Sequence, residues 1–193
     1  MPQESYKGIS NRGRLLLNQQ ENATVDFKEH LDGLHPDDLV AFANNDRGGS
    51  ILIGIRETIL PDGRQGTHIV GTEIGDAQKL TIINKAASCL PPVELELFFE
   101  NLGGRPFIRI EIPPSHHRPH CTASGTYKIR ENGRNKALNP RELLSIFMES
   151  EGDRFFDRFS QATGELHKAI QELKTTVHDH ICPRPDSSGD PSS

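Results

Sequence analysis

The stretch VELELFFENLGGRPFIRIEIPP, residues 93–114, leaves a chain few choices. Val93, Leu95 and Leu97 alternate with Glu94 and Glu96, and Ile108, Ile110 and Ile112 alternate with Arg109 and Glu111. A period of two sends successive side chains to opposite faces, so the pattern predicts two strands of an antiparallel hairpin closed by a loop at Asn101 to Gly104.

Other local patterns fill in an α+β chain. RLLLNQQ reads as a short helix, and TVDFK as a half-buried strand with Val25 and Phe27 on one face and Asp26 and Lys28 on the other. On an ideal strand Glu21 would face away from Asp26, so it can join Asp26 only from a preceding turn, which Asn22 favours. HPDDLVAFANNDRGG predicts a helix from about Asp37 to Asn45, with Leu39, Phe42 and Ala43 inward and Gly48-Gly49 as its stop. The apolar run Ile51–Ile55 predicts one central strand that delivers Arg56 and Glu57 at its end. HIVG reads as a short strand. A helix from about Asp76 to Ser88 places Leu80, Ile83 and Ala87 on one face, GTYKIRENGR is a strand and turn, and NPRELLSIFMES is a helix with Pro140 in its first turn.

From Asp153, read as an N-cap after Gly152, the residues Phe155, Phe159, Ala162, Leu166, Ile170, Leu173 and Val177 recur every three or four positions, one stripe along a long helix. The stripe either packs back onto the core or joins a second chain. Residues 1–13 are polar and expected to be mobile, 14–148 form the globular domain, 149–182 the helical segment, and 183–193 a disordered tail.

Composition bounds the partners. A net charge of −5 argues against indiscriminate polyanion binding. From Glu149 onward, however, nine Asp/Glu stand against five Lys/Arg, so the first 148 residues carry only −1 and have room for a local basic groove. Cys89, Cys121 and Cys182 are too scattered for a disulfide framework or a CxxC zinc pair. No apolar leader or 18-residue apolar run is present, so the expected setting is cytoplasmic, with no membrane partner. No GxxxxGK[ST] occurs, so no ATP is predicted as a cofactor.

ENATVDFKEHL, AFANNDRGGSILIGIRE, HIVG, LPPVELELFF and GTYKIRENGR, in this order and spacing over residues 14–148, together resemble the Schlafen AlbA_2 domain. The resemblance implies a single domain with a mixed β-sheet flanked by helices and a role with nucleic acid. It further implies that Glu21, Asp26 and Glu57 occupy the positions of a metal-dependent ribonuclease site acting on tRNA and rRNA, with two side-chain lengths exchanged relative to the usual pattern. Vertebrate Schlafens also carry a structural zinc site in the hairpin. Glu94, Glu96, His116 and His117 fall at those places here and could ligate a metal, but the cysteines are missing and the favoured reading of the SHHRPHC loop is exposed imidazoles.

The chemistry of these residue types agrees with the resemblance. Hard Mg²⁺ or Mn²⁺ prefers carboxylate ligands and can assist phosphodiester cleavage, while Lys28 beside Asp26 can stabilise developing negative charge. Arg47, Arg56, Arg64, Lys128, Arg130, Arg134 and Lys136 are candidate phosphate contacts. With 6% aromatic residues and no Trp, recognition of a structured RNA such as tRNA by shape and backbone is expected over base stacking. Because vertebrate Schlafens pair two lobes around RNA and this chain has one, a homodimer is the expected way to rebuild a cleft. The competing expectation is a non-catalytic DNA- or RNA-binding regulatory module that oligomerises through its C-terminal helix.

Overall fold

The structure, a computed structural model, describes residues 3–5, 8–59, 63 and 65–181. Arg64, Cys182 and the tail at 183–193 lie outside the described residues, as do the side chains of Asp153 and Arg154. The chain divides into two compact units, Met1–Ser150 and Glu151–Ser193.

The first unit is built on a five-stranded mixed sheet. Its strands are β1 (Gln3–Ser5), β6 (Glu96–Leu102), β7 (Arg105–Ile112), β3 (Gly49–Ile53) and β2 (Val25–Lys28), in that spatial order. β1 is parallel to β6 and β2 to β3, whereas β7 is antiparallel to both its neighbours. The predicted hairpin is β6–β7, closed by the pair Leu102 and Arg105 around Gly103 and Gly104 at φ 62° and 78°. Two successive positive φ values suit the twist of a two-residue hairpin loop, and glycine adopts them without a Cβ clash.

β3 is covered on both faces, which accounts for its unbroken apolar sequence. Ile51 and Ile53 join the larger core with Leu39, Val40, Phe42 and Ala43 of α2 (Pro36–Ala43), Ile82 and Ala86 of α3 (Asp76–Ala87), and Ile108 and Ile110. Leu52 faces the smaller core with Leu16 of α1 (Asn11–Leu17), Val25, Phe27, Ile55 and Phe107. In α3 the buried residues are Ile82 and Ala86, while Leu80 is exposed, a face rotated from the expected one. The expected mobile N-terminus contains β1 and the start of α1, which is tied down through Glu100: this buried carboxylate accepts from the Ser10 backbone N–H and hydroxyl and from Arg109.

The apolar run at 51–55 is two strands, not one. Gly54, at φ 97°, donates to Lys28 O and accepts from the N–H groups of Val70 and Gly71, so the chain turns out of the main sheet. Beyond this turn β4 (Ile55–Ile59) pairs with β5 (Gln65–Ile69), in a separate ribbon that carries Arg56 and Glu57. A second ribbon, β8 (Lys128–Glu131) with β9 (Arg134–Ala137), turns through Asn132 and Gly133 and packs against α2.

α4 runs without a break over Pro140–Ile181, so the expected helix start at Asp153 is absent; helix continues through Gly152. In the second unit the stripe side chains Phe155, Phe159, Leu166, Ile170, Leu173 and Val177 are all exposed. Among the described residues no helix is long and apolar enough to cross a membrane.

Candidate functional site

The site lies on β2 and is closed by the β8–β9 ribbon. Asn22 makes the expected turn: its side-chain oxygen accepts from the Thr24 N–H, and its backbone N–H donates to Val25 O. That turn brings Glu21 back along the strand, where its carboxylate accepts from the Phe27 N–H at 2.9 Å. Asp26 is 1% exposed. Its Oδ1 accepts from Arg130 Nη2 at 2.6 Å, and its Oδ2 faces the Lys28 ammonium at 2.5 Å in an ion pair of poor hydrogen-bond direction. Glu21 stands 3.7 Å from the same guanidinium.

The electrostatics reflect burial. Desolvation, then the hydrogen bond that the protonated Glu21 carboxyl donates to Asp26 and the charges of Asp26 and Glu57, push the Glu21 carboxyl up to about 7 against the pull of the Phe27 N–H. At Lys28 burial opposes the charge, yet Asp26 with Asp38 and Glu21 outweighs it and raises the ammonium above its ordinary value. Glu57 is exposed on β4, near enough for its charge to be felt at Glu21.

Arg130, expected at the surface, is buried. Its guanidinium donates to Asp26, to Asn135 Oδ1 and to the Asn22 carbonyl, and lies 5.3 Å from the Phe42 ring centre. Three other expected cations also have partners. Lys128 meets Asp37 at 2.5 Å, Lys136 meets Glu142 and Glu131, and Arg56 is bound to Glu29. Arg47 is open to solvent and stands 3.7 Å from Asp46, and Arg134 is exposed.

The clamp that seats the ribbon was not legible as such in the sequence. Asn44 donates to His120 O and Lys128 O and accepts from the His120 N–H; Asn45 donates to Ala23 O and Arg130 O. Asp38 accepts from Asn135 and from the His35 N–H at the start of α2. The available signal was the Asn44-Asn45 pair at a helix end, where two amides can each serve several backbone groups.

The carboxylates do not form a ligand set for a divalent ion in this arrangement. Both oxygens of Asp26 face cations, one Glu21 oxygen is held by a backbone N–H, and Glu57 sits on a different ribbon. Among the described residues no group of three or more His, Cys, Asp or Glu side chains is placed to hold a metal. The four residues at the places of the family's zinc site are divided between two cavities. Glu94, His116 and His117 line a small cavity of about 120 Å³ beside His120, whereas Glu96 lines a different cavity with Glu111. His120 is a buried structural residue that links Pro91 O and the Ser115 hydroxyl, and burial lowers its pKa.

Fold and site together define an α+β domain with an acidic cluster at the end of a sheet strand. The family described as Schlafen, AlbA_2 matches residues 21–139, and the chain belongs to it. The chain is also similar to the N-terminal domain of an ATP-dependent DNA helicase RecG-related protein from Nitrosomonas europaea, at 20% identity and a TM-score of 0.49, over 61% of this chain and 84% of that one. A second similar structure is the DIP2311 protein from Corynebacterium diphtheriae, at 17% identity and a TM-score of 0.47, where the match covers 69% of this chain and 26% of that one. No curated protein matches.

Proposed function

We propose that the globular unit binds a structured RNA, tRNA being the first class to test, and cleaves it at the acidic site formed by Glu21, Asp26, Glu57 and Lys28. Membership of the Schlafen AlbA_2 family supports a nucleic-acid role. The observation that carries the site assignment is a buried carboxylate, Asp26, held between two cations beside a second carboxyl group at Glu21. Such a cluster is costly in a core, where burying charges weakens the fold unless the pairing is good. In this reading Lys28 meets the phosphate, and Arg47 and Arg134 hold the RNA backbone outside the cluster.

Mg²⁺ or Mn²⁺ would have to displace Arg130 or Lys28 to reach Asp26. The test therefore runs a tRNA pool with Mg²⁺, with Mn²⁺ and with EDTA, using the natural chain and the variants Asp26→Asn and Glu57→Gln. Discrete fragments lost in both variants support the reading. Intact RNA in every arm, with salt-sensitive binding retained, favours the non-catalytic binding module.

A further inference from the structure

The second unit, taken by itself, presents an exposed apolar stripe. Phe155, Phe159, Leu166, Ile170, Leu173 and Val177 are between 44% and 64% exposed, and Ala162 is exposed with them. A helix with solvent on all sides is weakly self-supporting. This one also contains Gly164, Thr163, Thr175 and Thr176, all poorer helix formers than alanine. In proteins, helices of this kind draw most of their stability from packing an apolar face.

The spacing of the stripe bears on what it can pack against. The steps are four, three, four, four, three, four, an eleven-residue period in which Phe155, Leu166 and Val177 are equivalent. At 3.6 residues per turn the seven positions lie within an arc of about 80°, against about 100° for a strict heptad of the same number of positions. The order of steps also reads the same in both directions about Leu166. A face with that symmetry fits its own copy turned end over end.

We propose that this helix pairs antiparallel with the same helix of a second chain, centred on Leu166, as a nearly straight or slightly right-handed pair. The proposal is independent of the RNA reading. Side-chain volumes favour this direction: Phe155 meets Val177 of the second copy, Phe159 meets Leu173, Ala162 meets Ile170, and Leu166 meets itself. Away from the Leu166 pair each larger residue then lies opposite a smaller one, as close packing of a core favours. A parallel pair would set Phe155 and Phe159 against their own copies and Ala162 against Ala162, giving layers of very unequal width.

Charge at the seam agrees. Arg158 and Glu172 flank the stripe on one edge, so the antiparallel pair brings each Arg158 to Glu172 of the other chain, twice by symmetry. On the opposite edge Phe156 reaches Lys174, an arrangement suited to a cation over an aromatic face. Glu165 meets its own copy near the axis, a like-charge contact in the centre of the seam.

The test uses the full chain in sedimentation equilibrium at micromolar concentration, beside Leu166→Asp and Glu165→Gln. A dimer that Leu166→Asp weakens at least about tenfold, and that Glu165→Gln tightens, is the expected result. A monomeric natural chain overturns the interface, as does a dimer indifferent to Leu166→Asp. Leu166 is exposed in the single chain, so its replacement leaves the globular core untouched. Orientation is read by disulfide trapping in a Cys182→Ser background. Phe155→Cys mixed with Val177→Cys forms the mixed disulfide if the pair is antiparallel, whereas Phe155→Cys linking only to itself overturns the antiparallel assignment.

Discussion

Replacing Arg130 by methionine removes the guanidinium from the centre of the site while keeping most of the side-chain bulk. The pair with Asp26 is buried on both sides, at 4% and 1% side-chain exposure. Removing one partner of a buried pair costs about 3–5 kcal/mol, because the other charge is left without compensation. Lys28 remains beside Asp26 at 2.5 Å, so the expected loss is at the lower end, about 3 kcal/mol. For a chain of this size that corresponds to a fall of about 6–12 °C in Tm. Urea unfolding followed by circular dichroism gives the free energy, and a cycle with Asp26→Asn gives the pairwise part, expected at about 2 kcal/mol or more. A loss below about 1 kcal/mol would show that Arg130 is not locked onto Asp26 and that the β8–β9 ribbon does not close the site.

The same geometry sets three further outcomes. Gly13→Ala would put a Cβ within 2.0 Å of Glu100 Oε2, and that carboxylate is fixed by Ser10 and Arg109, so a loss of about 2 kcal/mol or more is expected in thermal unfolding. The Glu21 carboxyl titrates near 7 in the folded chain against 4.5 for the ordinary group, so its proton favours the fold. Its contribution is complete below about pH 4.5 and is lost as pH rises towards 7, and Glu21→Gln should flatten that part of the stability profile. His120 acts in the opposite sense: burial lowers its pKa below 6.5, its contribution is present above that value and is lost as pH falls through the folded pKa, and acid unfolding of the natural chain should show that step.

Local pattern made part of this molecule legible. The β6–β7 hairpin, the Asn22 turn and the start of α2 at Pro36 are short-range features, and the residues that specify them lie within a few positions of each other. The division of the apolar run at Gly54 was hidden because its causes are distant: the backbone of Lys28 on one side and of Val70 and Gly71 on the other. The uninterrupted α4 reflects the opposite situation, in which Gly152 and Asp153 offered a local start that the longer helix overrides. At the site, the acids stood out through the family pattern. The pairing of Arg130 with Asp26 spans 104 residues, and sequence alone sorts an arginine in a basic ribbon among surface cations. The helix stripe was visible from its spacing, and its side chains are exposed in the second unit.

The most direct measurement of the central claim is the equilibrium binding of fluorescently labelled tRNA across a salt series, comparing the natural chain with Arg47→Glu/Arg134→Glu. Both residues are exposed, and neither contributes to the buried Asp26 network. If they hold the RNA backbone, the double variant binds more weakly at low salt and its log–log salt slope is shallower by about 2, one for each lost phosphate contact. Equal affinity and equal slope in the two proteins would contradict the account.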